Sequence, residues 1–223
     1  MEKLSKNLNV GIYIYPGVTM LDAYAPLQVL AVSGLVNVFT FSKSIQPVSS
    51  DANVKLLPNY SVHDLPHVDV LIVPGSANPI EQIRDNEVID FLTKIGSQAK
   101  YITSVCTGSL ILAETGLLDG YKVTTHWAYK EALNKYPKLT YLNQRVVKDR
   151  NRISGGGITS GLDFSLELLA ELSGDIKSVE SLELLLEYDP QPPFGCGNHN
   201  DAKDEMKNSV QSLVKSIAYE MFN

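Results

Sequence analysis

The sequence predicts an α/β fold: a flavodoxin-like α/β/α sandwich with a mostly parallel sheet and a cysteine at a sharp strand-to-helix elbow. Three observations carry that prediction. Short apolar, β-branched runs alternate with helical stretches along most of the chain, the order that sets parallel strands between covering helices. Pro16-Gly17 and Pro74-Gly75 stop two of those runs abruptly. Cys106 stands where the run Tyr101–Val105 gives way to Thr107-Gly108-Ser109-Leu110, above the carboxyl edge of the sheet, where open α/β folds bind ligands.

In chain order, residues 9–15 read as the first strand and 20–32 as the first helix. Residues 36–41 follow as a strand, 54–57 as a short hairpin or edge strand, and 68–73 as a buried strand. Asn86–Gln98 is a helix leading into the cysteine strand. Residues 123–125 read as a short strand, 128–136 as a helix, and 146–148 and 152–154 as strands around the turn Asp149-Arg150-Asn151. Gly174 separates helices over 159–172 and 176–187. Residues 189–197, rich in Pro and Gly, cross the surface. Residues 202–222 read as one amphipathic helix. Its Met206, Val210, Leu213, Val214, Ile217 and Met221 recur at helical spacing and are expected in the core. No repeat, low-complexity tract or linker interrupts the pattern, so residues 1–223 are expected to form one domain.

Composition narrows the function classes. Hydrophobic residues make up 44% and charged residues 20%, as in ordinary globular chains. The net charge of -6 argues against a nucleic-acid or anionic-membrane partner. Only two cysteines occur, so a reducing, cytoplasmic setting is expected rather than a disulfide framework. Lys3 and Lys6 precede no long apolar signal region, and no run approaches the ~18 apolar residues of a membrane span.

The chemistry-bearing candidates gather at strand ends. Cys106 would sit at the positive end of a helix dipole, which lowers a thiol pKa and favours a nucleophilic thiolate. The alternative is a small buried hydrophobe. Asp22 lies in the first turn of the first helix, above the same edge, where it could carry a proton for the thiol or merely complement the dipole. The backbone N–H groups of Gly75, Ser76 and Thr107 could form an anion-stabilising nest, or the glycine could serve only a tight turn. Gly155-Gly156-Gly157 lets backbone approach a ligand closely. With Gly161 its spacing is wrong for a dinucleotide fingerprint, so no nicotinamide cofactor is expected. His63 and His67 are four apart, but Pro66 disfavours a helix between them, and no metal site is expected. His126 faces the cysteine edge or is structural, and Cys196 in its glycine-flanked loop is a bystander.

These segments together resemble the ThiJ/PfpI superfamily, within the class I glutamine amidotransferase-like fold. The matching pieces are Tyr15-Pro16-Gly17-Val18-Thr19-Met20-Leu21-Asp22, Val73-Pro74-Gly75, Val105-Cys106-Thr107-Gly108, Thr125-His126-Trp127 and the run from Gly155 to Asp163. Within the superfamily, Thr107 departs from the protease-like members, which carry histidine after the nucleophile. Asp22 departs from the deglycase- and glyoxalase-like members, which usually carry glutamate. Leu186-Glu187-Tyr188-Asp189-Pro190-Gln191-Pro192-Pro193-Phe194 is similar to a segment of the isocyanide hydratase group.

That resemblance implies a cofactor-free lyase that adds water to an isocyanide, giving an N-substituted formamide through a covalent Cys106 thioimidate. It implies Asp22 as proton shuttle, Thr107 as a hydrogen-bonding group beside the cysteine, and Gly75, Ser76, Gly156, Ile158 and His126 around the substrate. It also implies a small-molecule substrate and a homodimer. Two readings compete: a glyoxalase- or deglycase-like carbonyl enzyme using His126 as base, and a non-enzymatic redox sensor whose exposed, low-pKa Cys106 is oxidised. Related domains sense ligands in AraC-type regulators, but a further DNA-binding module is not expected here.

Overall fold

The computed structural model describes residues 8–222; Lys3 and Lys6 lie outside the described residues. Its strands are β1 Leu8–Tyr13, β2 Val36–Ser42, β3 Val48–Ser49, β4 Lys55–Leu56, β5 Tyr60–Ser61, β6 Val70–Val73, β7 Tyr101–Val105, β8 Lys122–Val123, β9 Thr140–Tyr141, β10 Val146–Asp149 and β11 Arg152–Gly155. Its α-helices are α1 Met20–Ser33, α2 Ile80–Arg84, α3 Asn86–Gln98, α4 Gly108–Glu114, α5 Ser160–Ser173, α6 Ile176–Leu185 and α7 Asp204–Ile217.

The main sheet runs β10-β11-β7-β6-β1-β2-β5. Every pair in it is parallel except β10 with β11. The inner strands explain this arrangement. All four residues of β6 and the last four of β7 are buried, as strands covered on both faces must be. Helices α1, α5 and α6 pack together on one face, and α2, α3 and α4 on the other. The chain leaves β1 toward β2 on one side while β6 lies on the other. The crevice above the carboxyl ends of β1, β6, β7 and β11 therefore opens at a topological switch point.

Several local expectations change. Residues 128–136 form 3₁₀ turns over Trp127–Lys135 instead of an α-helix. The segment is short and closed before Pro137. Its two rings are held from outside, Trp127 by His199 and Tyr129 by the Ala77 carbonyl. The terminal helix stops at Ile217 and resumes as a 3₁₀ turn over Tyr219–Met221. Asn78 Nδ2 donates to the Ile217 carbonyl at that break. Its apolar stripe is only partly core: Val214 and Met221 are buried, while Met206, Leu213 and Ile217 are exposed. The strand expected over 123–125 shortens to β8, which pairs with β9 outside the main sheet. Of the two alternatives for 54–57, the hairpin holds, β4 pairing antiparallel with β3.

Candidate functional site

Cys106 and Thr107 are the two residues between β7 and the seven-residue α4, and Cys106 directly follows the strand. Cys106 adopts φ 57°, the left-handed region that a side-chain-bearing residue enters only when its surroundings over-determine it. Here they do. The Cys106 N–H donates to the carbonyls of Gly155 (3.0 Å) and Gly156 (2.8 Å). The Cys106 carbonyl accepts from Ser109 Oγ (3.0 Å) and Thr125 Oγ1 (3.2 Å). The helix behind the elbow sits so close to β6 that a Cβ on Gly108 would stand 1.9 Å from the Val73 carbonyl oxygen. A glycine is therefore required there.

Asp22 reaches the elbow from the first turn of α1 and is fully buried. Its Oδ2 accepts the Gly75 N–H at 3.1 Å, and its carboxyl stands against the Cys106 thiol closely enough for each to shift the other's pKa. Its Oδ1 is buried without a partner. Burial pushes the Asp22 pKa up to about 7, against the Gly75 hydrogen bond and the Cys106 thiol, with the Asp51 charge adding to the rise. The thiol is raised well above its usual value, first by burial and then by the Asp22 carboxylate. The N–H groups of Ile158 and Thr107, which bond the sulfur, oppose that rise. The dipole-lowered thiol expected from sequence is thus corrected. Helix α4 is short, the sulfur is desolvated, and an acid stands against it. Cys106 and Asp22 are adjacent buried groups that each resist ionising.

The expected nest is rearranged as well. The Gly75 N–H is engaged by Asp22, and the Ser76 N–H by Thr107 Oγ1 at 2.8 Å. Thr107 Oγ1 donates in turn to the Ser76 carbonyl at 2.7 Å, so this hydroxyl clamps the loop after β6 to the elbow. The N–H pair that faces the sulfur belongs to Thr107 and Ile158, whose φ of 25° turns its backbone inward. Gly156 donates its N–H to the Arg145 carbonyl (2.9 Å) and offers its carbonyl to Cys106, so its backbone holds the elbow.

His126 lies one wall away. Its Nδ1 accepts the Ala128 N–H at 3.2 Å, and its ring lies so close to Gly157 that a Cβ there would stand 2.2 Å from Cδ2. Burial, with the neighbouring His199 adding to it, lowers its pKa to about 4, so the ring is neutral at pH 7. Cys106 itself is 5% exposed, which removes the premise of an exposed sensor thiol; Cys196 is free and exposed. Tyr13 is buried in the core and bonds Gln82, whereas Trp127 borders a cavity.

That cavity, of about 980 Å³, opens beside Gly156, Gly157 and Ile158. Residues 188–200 form much of its outer wall, a role that their surface-loop composition did not announce. Tyr188 anchors the base of this strap by donating to Asp163 Oδ2 (2.9 Å), which also accepts from Arg145 Nε (2.8 Å). A second cavity of about 620 Å³, between α3 and residues 62–68, contains none of the expected site residues. Among the described residues, no cluster of three or more His, Cys, Asp or Glu could hold a metal ion. Nor is any helix among them long and apolar enough to cross a membrane.

Known proteins are similar to this chain in sequence and fold. Isonitrile hydratase of Pseudomonas putida is 41% identical over 195 residues, 87% of this chain and 85% of that protein. A crystal structure of a THiJ/PfpI family protein from Pseudomonas syringae superposes with a TM-score of 0.92 at 36% identity, covering 98% of this chain and 90% of that one. The HTH-type transcriptional regulator GbdR of Pseudomonas aeruginosa is 28% identical over 173 residues, 76% of this chain but 47% of the regulator. The profile of the DJ-1/PfpI family matches residues 9–171, the stretch that carries every element around the elbow. On that match and on the likeness to isonitrile hydratase across most of both chains, this protein belongs to the DJ-1/PfpI family.

Proposed function

We propose that this protein hydrates isocyanides to N-substituted formamides, with Cys106 as nucleophile and Asp22 as proton shuttle. The observation that carries the reading is the burial of the Asp22 carboxyl against the Cys106 thiol at the elbow, in a chain 41% identical to an isonitrile hydratase. The terminal carbon of an isocyanide needs a nucleophile and a proton at one atom, and this pair holds both.

In the first step the thiol proton passes to Asp22 and the sulfur bonds the terminal carbon. The Thr107 and Ile158 N–H groups support the negative charge on sulfur while the proton moves. Asp22 then delivers that proton to the same carbon, leaving Cys106–S–CH=N–R and an Asp22 carboxylate. Water adds next: its oxygen bonds the carbon, one proton reaches the nitrogen through Asp22, and the C=N double bond becomes a single bond. The C–S bond then breaks, the hydroxyl proton returns to sulfur through Asp22, and R–NH–CHO leaves. An acid with a pKa of about 7 suits both directions of transfer at neutral pH. His126, neutral and with Nδ1 engaged by a backbone N–H, is a wall group in this scheme.

The test is steady-state formation of an N-aryl formamide from an aryl isocyanide, followed by ultraviolet absorbance. Wild type turns over and Cys106→Ala does not. Equal turnover by both removes the covalent scheme, and no turnover by protein with a reduced thiol removes the hydration reading.

A further inference from the structure

The chemistry at Cys106 uses only the isocyano carbon and nitrogen, yet the cavity beside it is at the upper end of the roughly 300–1,000 Å³ range of small-molecule sites. Its inner wall is the segment that holds the cysteine: Gly156 accepts the Cys106 N–H, and the Ile158 N–H faces the sulfur. Cys106, Asp22 and Thr107 are not on the cavity wall. Ile158, whose backbone lies at the sulfur and which also lines the cavity, joins the two, and a group on the isocyanide nitrogen that passes it enters this space.

The walls state what that group is. Trp127 and His199 stack with ring centroids 5.2 Å apart and planes 3° from parallel, an aromatic panel made jointly by the body of the fold and the strap. No charge on the wall lacks a partner. Arg145 and Asp163 neutralise each other, and His126 is neutral at pH 7. His199 is held toward its neutral form by burial and by Lys130 and Lys207, against Asp201. The wall also includes Ser160, 1% exposed, whose hydroxyl is buried without a partner. An orphaned buried hydroxyl lowers stability unless a ligand engages it.

We propose that this cavity binds a flat, uncharged aromatic substituent on the isocyanide nitrogen, with the Trp127–His199 panel as its stacking surface and the Ser160 hydroxyl as its polar contact. The assignment rests on the hydration reading for the reacting group alone. The cavity itself can be tested without turnover, because Trp127 is the only tryptophan in the chain.

N-(2-naphthyl)formamide is titrated into wild type and into His199→Ala, Ser160→Ala and Phe194→Ala, with Trp127 emission as the readout. Wild type shows saturable quenching; His199→Ala weakens Kd about tenfold and Ser160→Ala about threefold. Phe194, 88% exposed on the strap and away from the cavity, is the control, and Phe194→Ala keeps the wild-type Kd. Ser160→Ala loses no internal hydrogen bond, so it folds and keeps the test open if His199→Ala disturbs the strap. In turnover, the ratio of kcat/KM for 2-naphthyl isocyanide to that for n-butyl isocyanide falls about tenfold in His199→Ala, through KM. Absence of quenching, or equal losses on both isocyanides, overturns the cavity assignment even if both are hydrated. Quenching that responds to His199 and Ser160 in a protein that hydrates neither isocyanide overturns the hydration reading and leaves the aromatic site standing.

Discussion

The elbow and the strap are two opposite ways of building a site. At the elbow, Cys106, Thr107 and Gly75 are buried and their backbone and hydroxyl groups are engaged within the protein. The strap, residues 188–200, is mostly exposed and holds to the fold through a few side-chain contacts. The difference teaches how the work is divided. A reacting pair needs fixed atoms and a low dielectric, which only close packing supplies. A wall that chooses among substituents needs shape and can tolerate change.

The sharpest way to break this contrast is to add one carbon on each side. Gly108→Ala places a Cβ 1.9 Å from the Val73 carbonyl, whereas at Gly197 a Cβ meets nothing within 4 Å. Denaturant unfolding is expected to show a loss of about 4 kcal/mol or more for Gly108→Ala, and a change within about 0.5 kcal/mol for Gly197→Ala. Similar losses at both positions would erase the distinction.

Asp22→Asn comes next. It is expected to lower turnover about 10²–10⁴-fold and to raise stability at pH 8, because a buried carboxylate is removed. The sign follows from its pKa, raised from 3.8 to about 7 on folding. Between those values the native state binds more protons than the unfolded state, so this group makes stability fall as pH rises through the window. The full shift corresponds to a ceiling of about 4 kcal/mol above pH 7. His126, lowered from 6.5 to about 4, acts in the opposite direction over much of the same range. The wild-type minus Asp22→Asn difference therefore isolates the carboxylate. A difference that does not vary between pH 4 and pH 8 would contradict the buried, raised acid.

Thr107→Val removes two buried hydrogen bonds to the Ser76 backbone and leaves both partner groups unsatisfied. A loss of about 1–3 kcal/mol in denaturant unfolding is expected. At the other end of the scale, Cys196→Ser on the exposed strap should stay within about 0.5 kcal/mol of wild type in the same assay.

The same contrast explains what was legible in the sequence. Strands β1, β6 and β7 announced themselves as apolar runs, and the elbow followed from Cys106 at the end of one of them. The pairing of Asp22 with Cys106 was legible because both lie at carboxyl ends of strands, β1 and β7, that flank β6. The direction of the thiol shift was not. It depends on desolvation and on the acid's approach, which spacing along the chain does not encode. Thr107 was among the N–H groups expected at the site, but Ile158 as its companion beside the sulfur was not legible for a similar reason, since it reaches that place through an unusual φ. Two-residue strands such as Tyr60–Ser61 carry too few positions to show a period, and pairing with β2 alone defines that one. Residues 189–197 read correctly as a Pro- and Gly-rich loop. Their place on the cavity wall comes from Tyr188, Trp127 and His199, partners far apart in sequence.

The most direct test of the central claim, that Cys106 and Asp22 carry the hydration through sulfur, is intact-protein mass measurement after rapid acid quenching with an aryl isocyanide. The account predicts a transient mass increase equal to one isocyanide on wild type, mapped to Cys106, decaying as formamide appears and absent from Cys106→Ala. Formamide formation with no adduct at any quench time, or an adduct that maps elsewhere, would contradict it.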